Sequence, residues 1–178
     1  MLLTANLSLD RVGAHPWPEN GRPNYLVSCV YTPSNLKWRY DKHYQTEFLD
    51  VKEEDAEWYD PDAQRVFTSC TYKQAREIAA FIKQAQKERA NVFVNCHAGI
   101  SRSGAVVDIL TKLGWHDMSF PWQRIRHPNP VAWNRLSICF PETINEPYPM
   151  IDGNMWEERT LAYVDRLLWP NMKGNTNA

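Results

Sequence analysis

Val94-Asn95-Cys96-His97-Ala98-Gly99-Ile100-Ser101-Arg102-Ser103 places a cysteine and an arginine six positions apart around a glycine, between an apolar run and an apolar helical pattern. Upstream, Asn91-Val92-Phe93-Val94-Asn95 has the β-branched and aromatic character of a buried strand. Downstream, residues 105–113 carry their apolar side chains at helical spacing, and Gly114 stands where such a helix would stop. The intervening loop therefore joins a strand to a helix N-terminus, where unpaired backbone N–H groups point toward an incoming anion. Gly99 permits the tight turn that lets successive N–H groups face inward. Arg102 adds a planar, permanently charged fork able to grip two phosphate oxygens. Positive surroundings of this kind favour the thiolate form of a cysteine, and Cys96 stands in them. A phosphate bound there would turn its phosphorus to the sulfur. The Ser103 hydroxyl would donate to the thiolate, or help it leave when a cysteinyl-phosphate is hydrolysed.

The chain supplies its own control. Cys70-Thr71-Tyr72-Lys73-Gln74-Ala75-Arg76 has the same spacing but no glycine, and it runs into Ile78, Ala79, Ile82 and Ala85 at helical intervals. Thr71-x-x-Gln74 has the form of a capping box, which puts Cys70 just outside a helix as a structural residue.

Cys96-His97-Ala98-Gly99-Ile100-Ser101-Arg102-Ser103 resembles the phosphate-binding loop of the cysteine-dependent protein tyrosine phosphatases, and most closely the small dual-specificity branch, whose loops carry A-G-x-S-R-S. The likeness covers roughly residues 24 to 140 and is densest over 91–107. In that family a helix such as 72–89 precedes the catalytic strand. A Pro-Asn element followed by a helix, here His127-Pro128-Asn129-Pro130 and then 131–139, packs behind the loop. The resemblance implies a metal-independent hydrolase without a cofactor, acting on a phosphorylated protein through Cys96, Arg102 and Ser103. His97, Ala98, Gly99, Ile100, Ser101 and Arg102 would then hold the phosphate. One departure is visible: Asn95 stands where the family usually has histidine before the cysteine.

Such an enzyme also uses an aspartate to protonate the departing oxygen, supplied by a loop after an earlier strand. Asp50, ending the run Phe48-Leu49-Asp50-Val51, matches the strand-then-Asp pattern of small bacterial and phage-type relatives. Asp55 is the rival if the strand continues through Val51, while Asp60 and Asp62 flank Pro61 as turn residues do. Other readings of the loop are a phosphate-recognition module with little catalysis, a phosphatase for RNA 5′-phosphates or lipids, an arsenate reductase and a sulfurtransferase. The apolar helix after Arg102 and the upstream acidic loop favour a phosphatase over the last two, while the substrate's identity depends on loops that carry no motif.

Composition agrees with that expectation. The 178 residues are 43% hydrophobic and include eight Trp, eight Tyr and six Phe, enough for one packed domain. A net charge of −1 exerts no general pull toward nucleic acid or anionic membranes. Cys29, Cys70, Cys96 and Cys139 have neither a disulfide framework's spacing nor that of paired metal ligands. Met1-Leu2-Leu3 leads at once into polar residues and no run approaches a membrane span, so a cytoplasmic location, which also keeps thiols reduced, is expected.

Strands are expected at 24–30, within 43–49 and at 91–95, alternating with helices. This order predicts an α/β domain with a mostly parallel central sheet flanked by helices, of the protein tyrosine phosphatase type. A single phosphatase domain would span 1–178, with an irregular segment at 1–23, a Pro-rich stretch from Pro141 to Gly153 and a terminal helix over 155–169. Tyr31, Trp38 and Tyr40 are candidates for the rim of the site, and Arg124, Arg126 and His127 form a small basic cluster.

Overall fold

A computed structural model of the chain describes residues 1–13, 18–30, 40–62, 64–120 and 127–144. In chain order the elements are β1 (Leu3–Ser8), α1 (Leu9–Val12), β2 (Asn24–Ser28), β3 (Lys42–Gln45), β4 (Glu57–Asp60), β5 (Arg65–Thr68), α2 (Tyr72–Glu88), β6 (Asn91–Cys96), α3 (Arg102–Lys112), β7 (His116–Asp117) and α4 (Pro130–Ser137). Five strands form one sheet in the order β3-β2-β6-β1-β7, and every pairing in it is parallel. The expected α/β layout with a parallel central sheet is present.

Strand β6 occupies the middle of the sheet and all six of its residues are buried, the apolar run Val92-Phe93-Val94 together with the polar Asn91 and Asn95 on either side of it. Alternation along the strands divides two cores. Tyr25, Val27, Val92 and Val94 face α2, α3 and α4, whereas Leu26, Phe93, Ala5 and Leu7 pack with Val12 on the opposite face. Burying a side chain the size of Phe93 contributes roughly 1.5–3 kcal/mol. Asn91 ties the sheet together at the entry to β6. Its Oδ1 accepts from Leu3 N at 3.1 Å, and its Nδ2 donates to Asn24 Oδ1 at 2.8 Å.

Three expectations need correction. Residues 1–23 are not wholly irregular, because Leu3–Ser8 forms β1 beside β6. Its alternation is masked by two polar side chains, Thr4 and Asn6, that are fully buried. The strand expected within 43–49 is confined to Lys42–Gln45, after which Phe48 turns into the core. The acidic stretch after it is not loop throughout: Glu57–Asp60 and Arg65–Thr68 pair as an antiparallel hairpin, with the turn at Pro61. Among the described residues no helix is long and apolar enough to cross a membrane. The expected terminal helix, Tyr31, Trp38, Arg124 and Arg126 lie outside the described residues, as does the Pro-rich stretch beyond residue 144.

Candidate active site

The loop between β6 and α3 lies at the C-terminal edge of the parallel sheet. Its shape is set by what holds its carbonyl groups. His97 O accepts from Leu9 N at 3.0 Å, Gly99 O from Asn6 Nδ2 at 2.6 Å, and Ser101 O from Asn129 N at 3.0 Å. With these carbonyls pulled outward, the amides from Ala98 to Ser103 are left without a protein acceptor among the described residues. That is the arrangement of an anion nest at a helix start. Ser101 precedes α3 but makes no side-chain cap, so the helix amides stay open.

Gly99 is required at its position on two grounds. It sits at φ +67°, a left-handed conformation that L side chains avoid, and an added Cβ would stand 2.6 Å from Ser8 N and 2.7 Å from Leu7 C. The loop therefore lies directly on β1, and the buried Asn6 is its anchor there.

Cys96 ends β6 with only 1% of its surface exposed, and its Sγ is 2.9 Å from the buried Ser103 Oγ. Arg102 opens α3. Its guanidinium donates to Phe48 O at 3.0 Å, and its Nε lies 3.8 Å from Asp50 Oδ2. Asp50 is positioned from two further directions: Oδ1 accepts from Ser101 Oγ at 2.5 Å and from Asn129 Nδ2 at 3.1 Å. Asn129 also donates to Val51 O at 2.9 Å, while its Oδ1 caps α4 by accepting from Ala132 N. One asparagine thus links the Asp50 loop, the Cys96 loop and the start of α4. The Pro-Asn element signalled its place behind the loop, but its grip on Asp50 carried no sequence signal.

Of the two aspartates, the structure brings only Asp50 to the loop. Asp55 adopts φ +60° and its carboxylate, 87% exposed, pairs with the buried Arg135 of α4 at 3.0 Å. Asp60 and Asp62 flank the hairpin turn, where Asp62 N donates to Asp60 Oδ1. His97 and Ala98 are exposed at the mouth, whereas Gly99, Ile100 and Ser101 are buried. Tyr40 packs on the opposite core, near Leu26 and Phe93.

Asn95 occupies a polar chain. Ser28 Oγ donates to Asn95 Oδ1 at 2.6 Å and stands 2.8 Å from His43 Nε2 on the neighbouring strand. Burial holds His43 below the usual imidazole range, toward the neutral form. Just past Ser28, Cys29 N donates to Asn95 O. Burial, and then the charge of Cys96, push the Cys29 thiol well up, so it stays protonated. Among the described residues no group of three or more His, Cys, Asp or Glu side chains is gathered as metal ligands.

Beside the loop opens a cleft of about 340 Å³, whose lining includes His97 and Arg102, Asp50, and Trp58, Asp60 and Phe67 of the hairpin. Neither the scan against protein-family models nor the search of curated proteins returns a match to this chain.

Proposed function

We propose that the protein is a cysteine-dependent phosphomonoester hydrolase of the protein tyrosine/dual-specificity phosphatase type. The observation that carries this reading is one strand-to-helix loop that bears open amides, the Cys96–Ser103 pair and Arg102, with Asp50 held to that loop by Ser101 and close to Arg102. In the first step the Cys96 thiolate attacks phosphorus. The S–P bond forms, the P–O bond to the leaving group breaks, and a protonated Asp50 passes its proton to the departing oxygen. Arg102 swings from Phe48 O to the phosphoryl group and, with the loop amides, holds the equatorial oxygens, whose charge is best stabilised in the transition state. In the second step water attacks phosphorus, Asp50 takes the proton, the S–P bond breaks and Ser103 donates to the released thiolate. No step needs a metal or cofactor. The substrate class is a phosphorylated protein, and the protein's place of action is the cytoplasm.

The test is Cys96→Ser on an aryl phosphate. The variant should bind the substrate without turning it over, while vanadate inhibits the wild-type enzyme. Hydrolysis by Cys96→Ser at the wild-type rate contradicts the mechanism. Absence of hydrolysis by the wild type, with binding intact, would favour a phosphate-recognition module.

A further inference from the structure

The β4–β5 hairpin has no part in the chemistry, yet one of its faces lines the cleft. Cross-strand register pairs Trp58 with Phe67 and Asp60 with Arg65, so the four side chains share a face. Trp58, Asp60 and Phe67 border the same cavity as Asp50, His97 and Arg102. Trp58 is 52% exposed and stacks on Phe67 with ring centroids 5.8 Å apart and planes 22° from parallel. The pair is braced. Arg65 lies over the Phe67 ring at 4.2 Å and is itself paired with Glu47, which precedes the Asp50 loop. Leu49 N donates to Thr68 O at 2.8 Å, fastening that loop to β5 directly. An exposed tryptophan held flat beside an anion nest is apolar surface kept ready for a ligand.

From this we infer that the hairpin sets substrate choice: Trp58, backed by Phe67, is the platform on which the aromatic ring of the leaving group lies while its phosphate occupies the Cys96 loop. The inference rests on the phosphatase reading and deepens it. The cavity is at the small end for ligand clefts, suited to one phosphorylated side chain. A nucleobase could also stack there, but among the described residues the lining carries Glu47, Asp50 and Asp60 against the one permanent cation Arg102, which disfavours a polyanionic strand. The geometry points to an aryl monophosphate within a peptide.

The experiment compares one peptide carrying phosphotyrosine, the same peptide carrying phosphoserine, and a 5′-monophosphorylated RNA oligonucleotide, on wild type, Trp58→Ala and Trp58→Phe. Trp58→Ala should raise KM for the phosphotyrosine peptide by roughly five- to tenfold, the scale of a lost aromatic contact, with kcat nearly unchanged. The phosphoserine parameters should not move, and Trp58→Phe should restore most of the loss. Equal effects on both peptides, or none, overturn the platform. So does a preference for RNA that disappears in Trp58→Ala. Binding of the phosphotyrosine peptide to Cys96→Ser and to Cys96→Ser/Trp58→Ala, measured by calorimetry, separates the two levels. If wild type hydrolyses nothing but Trp58→Ala still weakens binding, the phosphatase reading fails and the platform stands. If the second substitution leaves binding unchanged, the platform fails alone.

Discussion

Cys70–Arg76 and Cys96–Arg102 share a spacing and each leads into a helix, but the two helices begin in opposite ways. At α2, Thr71 Oγ1 accepts from Gln74 N and Gln74 Oε1 accepts from Thr71 N, so the first turn is closed by its own side chains. Cys70 is buried and its thiol is pushed up to about 12, chiefly by burial, while Arg76 points to solvent. At α3, Ser101 makes no cap and spends its hydroxyl on Asp50, three loop carbonyls are drawn outward, and Arg102 lies over the site. The same two residue types become structure in one place and candidate chemistry in the other because one set of amides is already satisfied. An anion has nothing to gain at a capped helix start.

The comparison can be broken from either side. The largest effect should come from the acid. Asp50→Asn should lower kcat by about 10²–10⁴-fold with alkyl or phenolic leaving groups, read in steady-state assays. Asp55→Asn should leave turnover near wild type and cost about 1 kcal/mol or less of stability, read by denaturant unfolding, because its ion pair with Arg135 is mostly solvated on the carboxylate side. Next, Arg102→Lys should lose about 10²–10³-fold in kcat/KM, since an ammonium cannot replace a bidentate fork in the transition state. Arg76→Lys, at the same spacing but exposed, should change nothing in the same assay.

Gly99→Ala tests the nest itself. The left-handed backbone costs a non-glycine residue about 1–2 kcal/mol, and the clash with Leu7 and Ser8 must displace the loop from β1. Phosphate affinity, measured by protection of Cys96 from alkylation, should fall with stability. The smallest effect is expected at the control helix. Thr71→Ala should cost about 0.5–2 kcal/mol in thermal unfolding and leave turnover untouched.

Much of the sheet was legible where one kind of signal spoke alone. The run at Asn91–Cys96, the capping box at Thr71 and the helix following Pro-Asn gave β6, α2 and α4 to within a residue or two of their ends. The placement of Cys96, Arg102 and Ser103 at one strand-to-helix junction was legible because the loop sequence and its flanking elements agreed. β1 was not, because Thr4 and Asn6 are buried polar residues whose partners lie far away in sequence: Asn6 serves Gly99, and only the folded chain brings them together. The hairpin hid inside an acidic stretch because its strands are short and solvated, with Trp58, Tyr59 and Val66 all exposed. The choice between Asp50 and Asp55 depended on Asn129 and Arg135, partners some eighty residues away. Local pattern sees neither.

The central claim, that Cys96 alone among the cysteines carries covalent chemistry, is tested most directly by trapping the intermediate. The Asp50→Asn protein is mixed with labelled 4-nitrophenyl phosphate, whose leaving group needs no proton, then denatured within the first turnover and mapped by peptide. One phosphoryl group per chain on the peptide containing Cys96, with Cys70 unlabelled, is the predicted result. Label on another residue, or steady nitrophenol release with Cys96 never labelled, would contradict it.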